Sequence, residues 1–198
     1  MIRAALIAFS LLLCTPALAA DGAAVGQPAP AFELTDTDGV AHKLSDYAGK
    51  TVVLEWFNPD CPFVVYAHGK QGPLASQPAR VADADTVWIA INSGAPGKQG
   101  HGLERNQKAR TEYGMSYPVL LDESGAVGRS YGAKTTPHMF VIDPKGVLVY
   151  AGGLDDSPMG RGGSGTNYVD ACVADLDGGK PVGTAEAKAY GCSVKYGG

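Results

Sequence analysis

The most constraining feature of this sequence is an apolar run that ends in the segment Asn-Pro-Asp-Cys-Pro. Residues 51–57 are mainly β-branched, aromatic or otherwise apolar, which is typical of a buried strand. Residues 58–60 belong to the types that form turns and cap helices, and Pro62 is the proline favoured at the first helical position. The sequence therefore predicts a strand, a tight turn and a helix that begins at Cys61.

The position of Cys61 has a chemical consequence. A thiol at the start of a helix lies near unpaired backbone N–H groups and the positive end of the helix dipole. Both favour the thiolate, which is the nucleophilic form of cysteine. We therefore predict that Cys61 is a nucleophile, whereas most lone cysteines after a strand are inert and buried.

The first twenty residues have the pattern of a secretory signal peptide. Arg3 precedes an apolar run at residues 4–14, and residues 17–19 read Ala-Leu-Ala, a cleavage site of the small-x-small type. The run is too short to span a bilayer, and no later apolar run is long enough. We therefore expect residues 1–20 to be removed on export to the periplasm or the exterior, and residues 21–198 to form one domain without membrane insertion.

Charge and cysteine count narrow the classes of function. The net charge is -4, and loss of Arg3 with the signal peptide makes it -5, which gives no support to nucleic-acid binding. Export leaves Cys61, Cys172 and Cys192. An odd number of cysteines leaves one thiol outside any single internal disulfide, and in an oxidising compartment this indicates redox chemistry.

The rest of the chain alternates between strand and helix patterns. Strands are predicted at 51–57, 86–92, 139–142 and 147–150, with a hairpin within 31–44. Helices are predicted at 103–113 and 167–177, and in two pieces within 62–81, where Gly69 and Gly72 break the pattern. This order predicts a single α/β domain with a central mixed sheet flanked by helices, an N-terminal β-hairpin and a C-terminal tail. The oligomeric state is left open.

Longer segments carry a more specific pattern. Residues 26–34, 44–54 and 140–146 resemble the redoxin branch of the thioredoxin superfamily, which includes alkyl hydroperoxide reductase/thiol-specific antioxidant proteins and exported thiol-disulfide proteins. Within that branch, residues 61–64 and 190–196, with the Lys-Thr-Thr-Pro-His-Met segment, are most similar to a peroxiredoxin-like subgroup. The resemblance implies a thioredoxin-like fold and a thiol oxidoreductase that acts on protein disulfides or thiols, or on a small peroxide, without a metal or cofactor.

The resemblance also implies roles for residues around Cys61. Glu55 lies six residues before Cys61 and matches the buried acid of thioredoxins, which relays protons. Thr136 and Pro137 match the residues at the cis-proline that flanks the active cysteine, where the backbone before the proline can pair with an extended substrate. Substrate contacts are further expected from the first helical residues, Pro62 and Phe63.

The chain also departs from the patterns it resembles. Val64 stands where thioredoxins have their second cysteine, and Asn58 stands where peroxiredoxins have a threonine three residues before the reactive cysteine. Arg129 and Arg161 are the candidates for the catalytic arginine of peroxiredoxins. Neither the usual dithiol exchange nor the usual peroxidase chemistry therefore carries over unchanged.

Two disulfide pairings are open at this point. Cys192 lies in the tail motif shared with the peroxiredoxin-like subgroup, which favours a redox-active Cys61–Cys192 pair. The alternative is a structural Cys172–Cys192 bridge that leaves Cys61 as a single reactive thiol. Only cysteines whose Cα atoms lie within about 7 Å can be bridged.

Two functions without turnover compete with the redox enzyme. A copper-binding module would use thiolate and imidazole ligands, which suit copper, from Cys61, His68, His101 and His138, although these histidines lack the spacing of a metal motif. A peptide-binding module would instead hold a partner in the groove beside Pro137. We prefer the exported thiol oxidoreductase because Cys61 stands at the start of a predicted helix.

Overall fold

The computed structural model of the protein describes residues 22–198. The predicted export signal, residues 1–20, lies outside the described residues. Between residues 22 and 198, no helix is long and apolar enough to cross a bilayer.

The described chain alternates between strands and helices. The strands are β1 (Glu33–Asp36), β2 (Ala41–Lys43), β3 (Thr51–Trp56), β4 (Thr86–Asn92), β5 (Val119–Leu121), β6 (Thr135–Thr136), β7 (His138–Ile142), β8 (Leu148–Gly152) and β9 (Cys192–Ser193). The α-helices are α1 (Pro62–His68), α2 (Gln77–Val81), α3 (Leu103–Glu112), α4 (Ala126–Tyr131) and α5 (Tyr168–Asp177). Short 3-10 turns lie at Leu44–Tyr47, Pro73–Ala75 and Pro158–Gly160.

Seven of these strands form one mixed sheet in the order β2-β1-β5-β4-β3-β7-β8. The three central strands β5, β4 and β3 are parallel, whereas β7 and β8 continue the sheet antiparallel on one side and β1 and β2 on the other. The predicted α/β fold with a central mixed sheet and an N-terminal hairpin is confirmed. A second, two-stranded sheet pairs β6 with β9.

The sheet holds β3 rigidly because both of its faces are covered. Every residue of β3 is buried. On one face Trp56 packs against Tyr131 of α4 and Phe140 of β7, with ring centroids 5.3 and 5.1 Å apart. On the other face Val53 lies in a cluster with Cys172 and other side chains of α5. The turn that follows β3 therefore starts from a fixed point at the centre of the domain.

The sequence pattern located the strands of the large sheet and the break between α1 and α2, but not the short strand in the tail. The strand predicted at 86–92 is β4, and the two helical pieces predicted within 62–81 are α1 and α2, with a 3-10 turn between them. Gly72 lies at this break, and a Cβ atom there would stand 2.0 Å from the carbonyl oxygen of Tyr66. The short strand β9 was not predicted within the tail, because two residues carry no periodicity and its partner β6 is remote in sequence.

Candidate active site

The position of Cys61 is set by the turn between β3 and α1. Cys61 is the N-cap residue of α1, with Pro62 at its first position, and its backbone N–H donates to the carbonyl oxygen of Asn58 at 3.1 Å. Arg105 of α3 holds the turn from outside, since its Nε donates to Asp60 Oδ1 at 2.8 Å. The sequence pattern gave no sign of this arginine, which lies far along the chain on a surface helix.

The C-terminal tail, residues 184–198, brings a second sulfur to this position. β9 runs antiparallel to β6, and the register places Cys192 opposite Thr136. The Sγ atoms of Cys61 and Cys192 lie 2.7 Å apart, and Cys61 Sγ lies 3.1 Å from the carbonyl oxygen of Thr136. Cys61 is fully buried, whereas Cys192 is partly exposed. The structure therefore brings together two thiols that are remote in sequence.

The third cysteine has a different environment. Cys172 is 1% exposed and packs among apolar side chains between α5 and the sheet. Burial raises the pKa of its thiol to about 12. Because Cys192 contacts Cys61, the geometry favours the Cys61–Cys192 pairing over the Cys172–Cys192 bridge.

The two neighbouring thiols differ in acidity. Burial by itself raises the pKa of Cys61, but the thiol of Cys192 and the backbone N–H of Val64 outweigh it, and the pKa of Cys61 lies below its usual value. Burial and the adjacent Cys61 sulfur raise the pKa of Cys192. When one proton is lost from the pair, the charge therefore resides on Cys61 and Cys192 remains a thiol that can donate to it.

Thr136, next to the two thiols, has a side-chain hydroxyl without a hydrogen-bond partner in the described chain. This hydroxyl is also buried. The peptide bond between Thr136 and Pro137 is cis, and Pro137 is buried. The Thr136 hydroxyl is therefore a free donor beside the Cys61 sulfur.

Glu55 is buried below this site and belongs to a polar cluster of its own. It is 0% exposed, its Oε1 lies 2.8 Å from His68 Nε2, and Trp88 Nε1 donates to its Oε2 at 3.2 Å. Burial and the Glu55 carboxylate raise the pKa of Tyr117 well above its usual value. Within the described chain, no hydrogen bond joins Glu55 to a cysteine. Sequence reasoning identified the acid but missed His68 and Trp88 as its partners.

The histidines do not assemble the copper site considered from the sequence. His68 contacts Glu55, His101 contacts Glu123 at 3.0 Å, and the His138 ring lies 4.4 Å from that of Phe140 on the Trp56 face of the sheet. Burial, with a smaller effect of Lys134, lowers the pKa of His138 to about 4. Among residues 22–198, no three His, Cys, Asp or Glu side chains are grouped to hold a metal ion. That combination of ligands was therefore wrong.

Comparisons with known proteins give the family. The family model described as Redoxin matches residues 24–161. The chain belongs to the redoxin family.

Three similar proteins show the range of this redoxin's relatives. The thiol-disulfide oxidoreductase ResA of Geobacillus thermodenitrificans is 30% identical over 124 residues, which cover 62% of this chain and 66% of ResA, just under two thirds of its length. A peroxiredoxin of Schizosaccharomyces pombe is 33% identical over 156 residues, 69% of this chain and 74% of that protein. The crystal structure of an uncharacterized conserved protein from Geobacillus kaustophilus, 30% identical, superposes with a TM-score of 0.76 over 93% of this chain and 98% of its own.

The residues at which this redoxin departs from thioredoxins and peroxiredoxins make structural contacts. Val64, at the position of the second thioredoxin cysteine, is fully buried in the cluster that contains Cys61. Asn58 accepts a hydrogen bond from the backbone N–H of Asp60 at 2.9 Å and so shapes the turn. Arg129 stacks on Tyr196, 4.7 Å from the ring centroid, and donates to a tail carbonyl. Arg161 is exposed on a loop, and neither arginine hydrogen-bonds to a cysteine of the described chain.

Residues at the start of α1 form the surface around the site. Pro62 is exposed beside Cys61, and Phe63 is half-buried. The Phe63 ring lies 6.0 Å from that of Tyr190, so it packs against the tail. Trp56 is a core residue, because its ring is fully buried and its Nε1 donates to Ser93.

The difference in acidity predicts the order in which the thiols ionise. Ultraviolet absorbance of thiolates in the reduced protein should rise with pH in separate steps, because the thiolate forms as pH passes each pKa. The first step should lie below the ordinary cysteine pKa and disappear in Cys61→Ser, whereas Cys172→Ser should remove only a step near pH 12. A first step that survives in Cys61→Ser would contradict the assignment.

The buried Glu55 cluster predicts a large effect on stability. Glu55→Ala removes the acceptor for two buried N–H groups and should lower the free energy of unfolding by about 3 kcal/mol, measured by urea denaturation. As a control, Glu33→Ala removes an exposed carboxylate, 3.3 Å from Lys43, and should change stability by less than about 1 kcal/mol. Equal effects of the two substitutions would show that the Glu55 cluster does not support the fold.

Proposed function

We propose that this redoxin is an exported thiol oxidoreductase in which Cys61 is the nucleophile and Cys192 the resolving thiol. The observation that carries this proposal is the 2.7 Å contact between their sulfur atoms. The lowered pKa of Cys61 and the raised pKa of Cys192 support the assignment of the two roles.

A hydroperoxide is the oxidant that the geometry favours. The Cys61 thiolate attacks the terminal peroxide oxygen, the O–O bond breaks, and the products are a sulfenic acid on Cys61 and an alcohol, or water from hydrogen peroxide. The Cys192 thiol then attacks the Cys61 sulfur, a Cys61–Cys192 disulfide forms, and water leaves. An external dithiol restores both thiols and is itself oxidised to a disulfide.

The size of the oxidant follows from access to Cys61. The thiol is 0% exposed beneath the tail, so a small molecule reaches it more easily than a disulfide on a folded protein does. One relative is named a thiol-disulfide oxidoreductase and another a peroxiredoxin, so the name of the family alone does not choose between the two oxidants. Exchange with a protein disulfide is the second candidate, supported by the antiparallel pairing of β6 with a cysteine-bearing strand.

The neighbouring residues take supporting roles in this proposal. The Thr136 hydroxyl donates to the Cys61 thiolate or to the bound oxidant, and Pro137 closes the site beneath it. Pro62 and Phe63 form the approach surface at the start of α1. Glu55 has no hydrogen-bonded path to either cysteine within residues 22–198, so in this proposal it supports the site structurally, together with His68 and Trp88.

We further propose that residues 1–20 direct export and that residues 21–198 are the mature domain. The support is the sequence pattern of those residues, together with three cysteines in the chain that follows. The intact mass of the protein recovered after export should correspond to cleavage after Ala19 or Ala20, and an uncleaved mass would contradict the assignment.

Removal of the resolving thiol should arrest the cycle after its first step. In Cys192→Ser, hydrogen peroxide should leave Cys61 as a sulfenic acid that dimedone traps, and turnover with a dithiol reductant should fall on the order of tenfold or more. Cys172→Ser is the matched control and should retain both disulfide formation and turnover. Full turnover by Cys192→Ser, or no oxidation of Cys61 in the unmodified protein, would overturn the proposed function.

A further inference from the structure

The tail follows a fixed path across the end of the sheet. Backbone hydrogen bonds first join it to Ala151 of β8. Tyr190 then donates its hydroxyl proton to Asp155 at 2.7 Å, and beyond β9 the N–H of Val194 donates to the carbonyl oxygen of Lys134 at 3.1 Å. The tail is thus tied to the domain on both sides of Cys192.

The final residues add four more contacts. The Tyr196 hydroxyl donates to the carbonyl oxygen of Ala133 at 2.8 Å, and the guanidinium of Arg129 lies over the Tyr196 ring and donates to the carbonyl oxygen of Gly197 at 2.7 Å. The backbone N–H of Ala95 donates to the carbonyl oxygen of Lys195 at 2.9 Å. These contacts hold the tail along β6.

The pairing of β9 with β6 has the form of a bound peptide. The segment is extended, runs antiparallel to Thr135–Thr136, and presents a cysteine opposite Thr136, in contact with the Cys61 sulfur. Backbone pairing at a strand edge is a general mode of peptide recognition. The tail therefore occupies the backbone groups that an extended, cysteine-containing segment of another protein would need.

We propose that the tail is a built-in strap that closes the β6 edge to peptide partners, and that Gly191 is the residue that lets it close. Closed, the strap restricts Cys61 to small oxidants and holds Cys192 ready to resolve it. Displaced, it leaves β6 free for an extended segment that carries a cysteine in a disulfide. The reactivity of Cys61 in this scheme rests on the proposed function, whereas the occupancy of the edge does not.

Gly191 is the tightest point of the strap. Its φ is +127°, a backbone conformation that residues other than glycine rarely adopt. A Cβ atom there would lie 2.1 Å from the carbonyl oxygen of Thr136 and 2.7 Å from its carbonyl carbon. Because both are backbone atoms, they cannot move aside as a flexible side chain would, and a methyl group would force the strap away from β6.

Exchange on the open edge balances without a further reactant. The Cys61 thiolate attacks one sulfur of the partner's disulfide, a mixed disulfide forms, and the partner's other sulfur leaves as a thiolate. When the strap returns, the Cys192 thiol attacks the Cys61 sulfur, releases the partner's first cysteine as a thiol and forms the Cys61–Cys192 disulfide. The partner is reduced by two electrons and this pair is oxidised by two.

Gly191→Ala tests the strap without altering either cysteine. The probe is a fluorescent peptide of this chain's residues 188–196 with serine in place of Cys192, and its binding is followed by fluorescence anisotropy. Gly191→Ala should bind the peptide at least about tenfold more tightly than the unmodified protein does, a shift of about 1.4 kcal/mol. The matched control is Gly197→Ala, in the same tail, whose new Cβ atom would stand 3.4 Å from Ala95, an ordinary contact, and it should bind like the unmodified protein.

Tyr196→Phe provides a second test in case Gly191→Ala does not fold. It removes only the hydrogen bond to Ala133 and should increase peptide binding in the same direction by a smaller factor. Equal binding of the peptide by all variants and the unmodified protein would overturn the strap proposal.

A redox readout separates this proposal from the proposed function. In Gly191→Ala, the reaction of Cys61 with a peptide disulfide should accelerate, while peroxide-driven formation of the Cys61–Cys192 disulfide should slow. The serine peptide involves no redox step. Its binding therefore reports on the strap even if Cys61 proves inert to peroxide, and an inert Cys61 would overturn only the proposed function.

Discussion

The candidate site depends on the two-residue ladder between β6 and β9. Without it, Cys61 would be a single thiol at the start of a short helix, because the other contacts of the tail do not fix the register of Cys192. The ladder sets Cys192 opposite Thr136, and this register brings the two sulfur atoms into contact. Its close approach requires glycine at Gly191, so one position without a side chain determines whether the pair exists.

A two-residue ladder is sufficient to place Cys192 beside Cys61 because the buried sheet already fixes the position of Cys61. Every residue of β3 is buried, and the turn after it is held by Asn58 and by Arg105, so the position of Cys61 is set by the core of the domain. The tail needs to add only the second sulfur, and it is tied on both sides of that sulfur. Fixing a thiol on a loop costs conformational entropy. Here several separate contacts of the tail together offset that entropy loss.

The electrostatic environment makes two chemically identical thiols differ in pKa. Burial disfavours a thiolate at either sulfur. At Cys61 the hydrogen bonds from its surroundings outweigh this effect, whereas at Cys192 the neighbouring sulfur adds to it. The two roles proposed for Cys61 and Cys192 are therefore distinguished by the surroundings of each thiol. Glu55 stands apart and is hydrogen-bonded to His68 and Trp88.

Much of this arrangement could be predicted from local sequence pattern. The buried strand, the turn and the helix start at Cys61 are encoded within fourteen consecutive residues, 51–64, and β4 coincides with its predicted limits. The choice between Cys61 and Cys172 as the partner of Cys192 could not be predicted, because it depends on where a distant tail crosses the sheet. The pairing of Glu55 with His68 and Trp88 was likewise hidden, since it joins a strand, a helix end and a neighbouring strand.

The most direct test of the account is peptide mapping by mass spectrometry after the reduced mature protein receives one equivalent of hydrogen peroxide. We predict rapid formation of a single internal disulfide between Cys61 and Cys192, with Cys172 recovered as a free thiol, and reversal by a dithiol. A Cys172–Cys192 link, or a Cys61 that remains a thiol while other sulfurs oxidise, would contradict the central claim that these two residues form the redox pair.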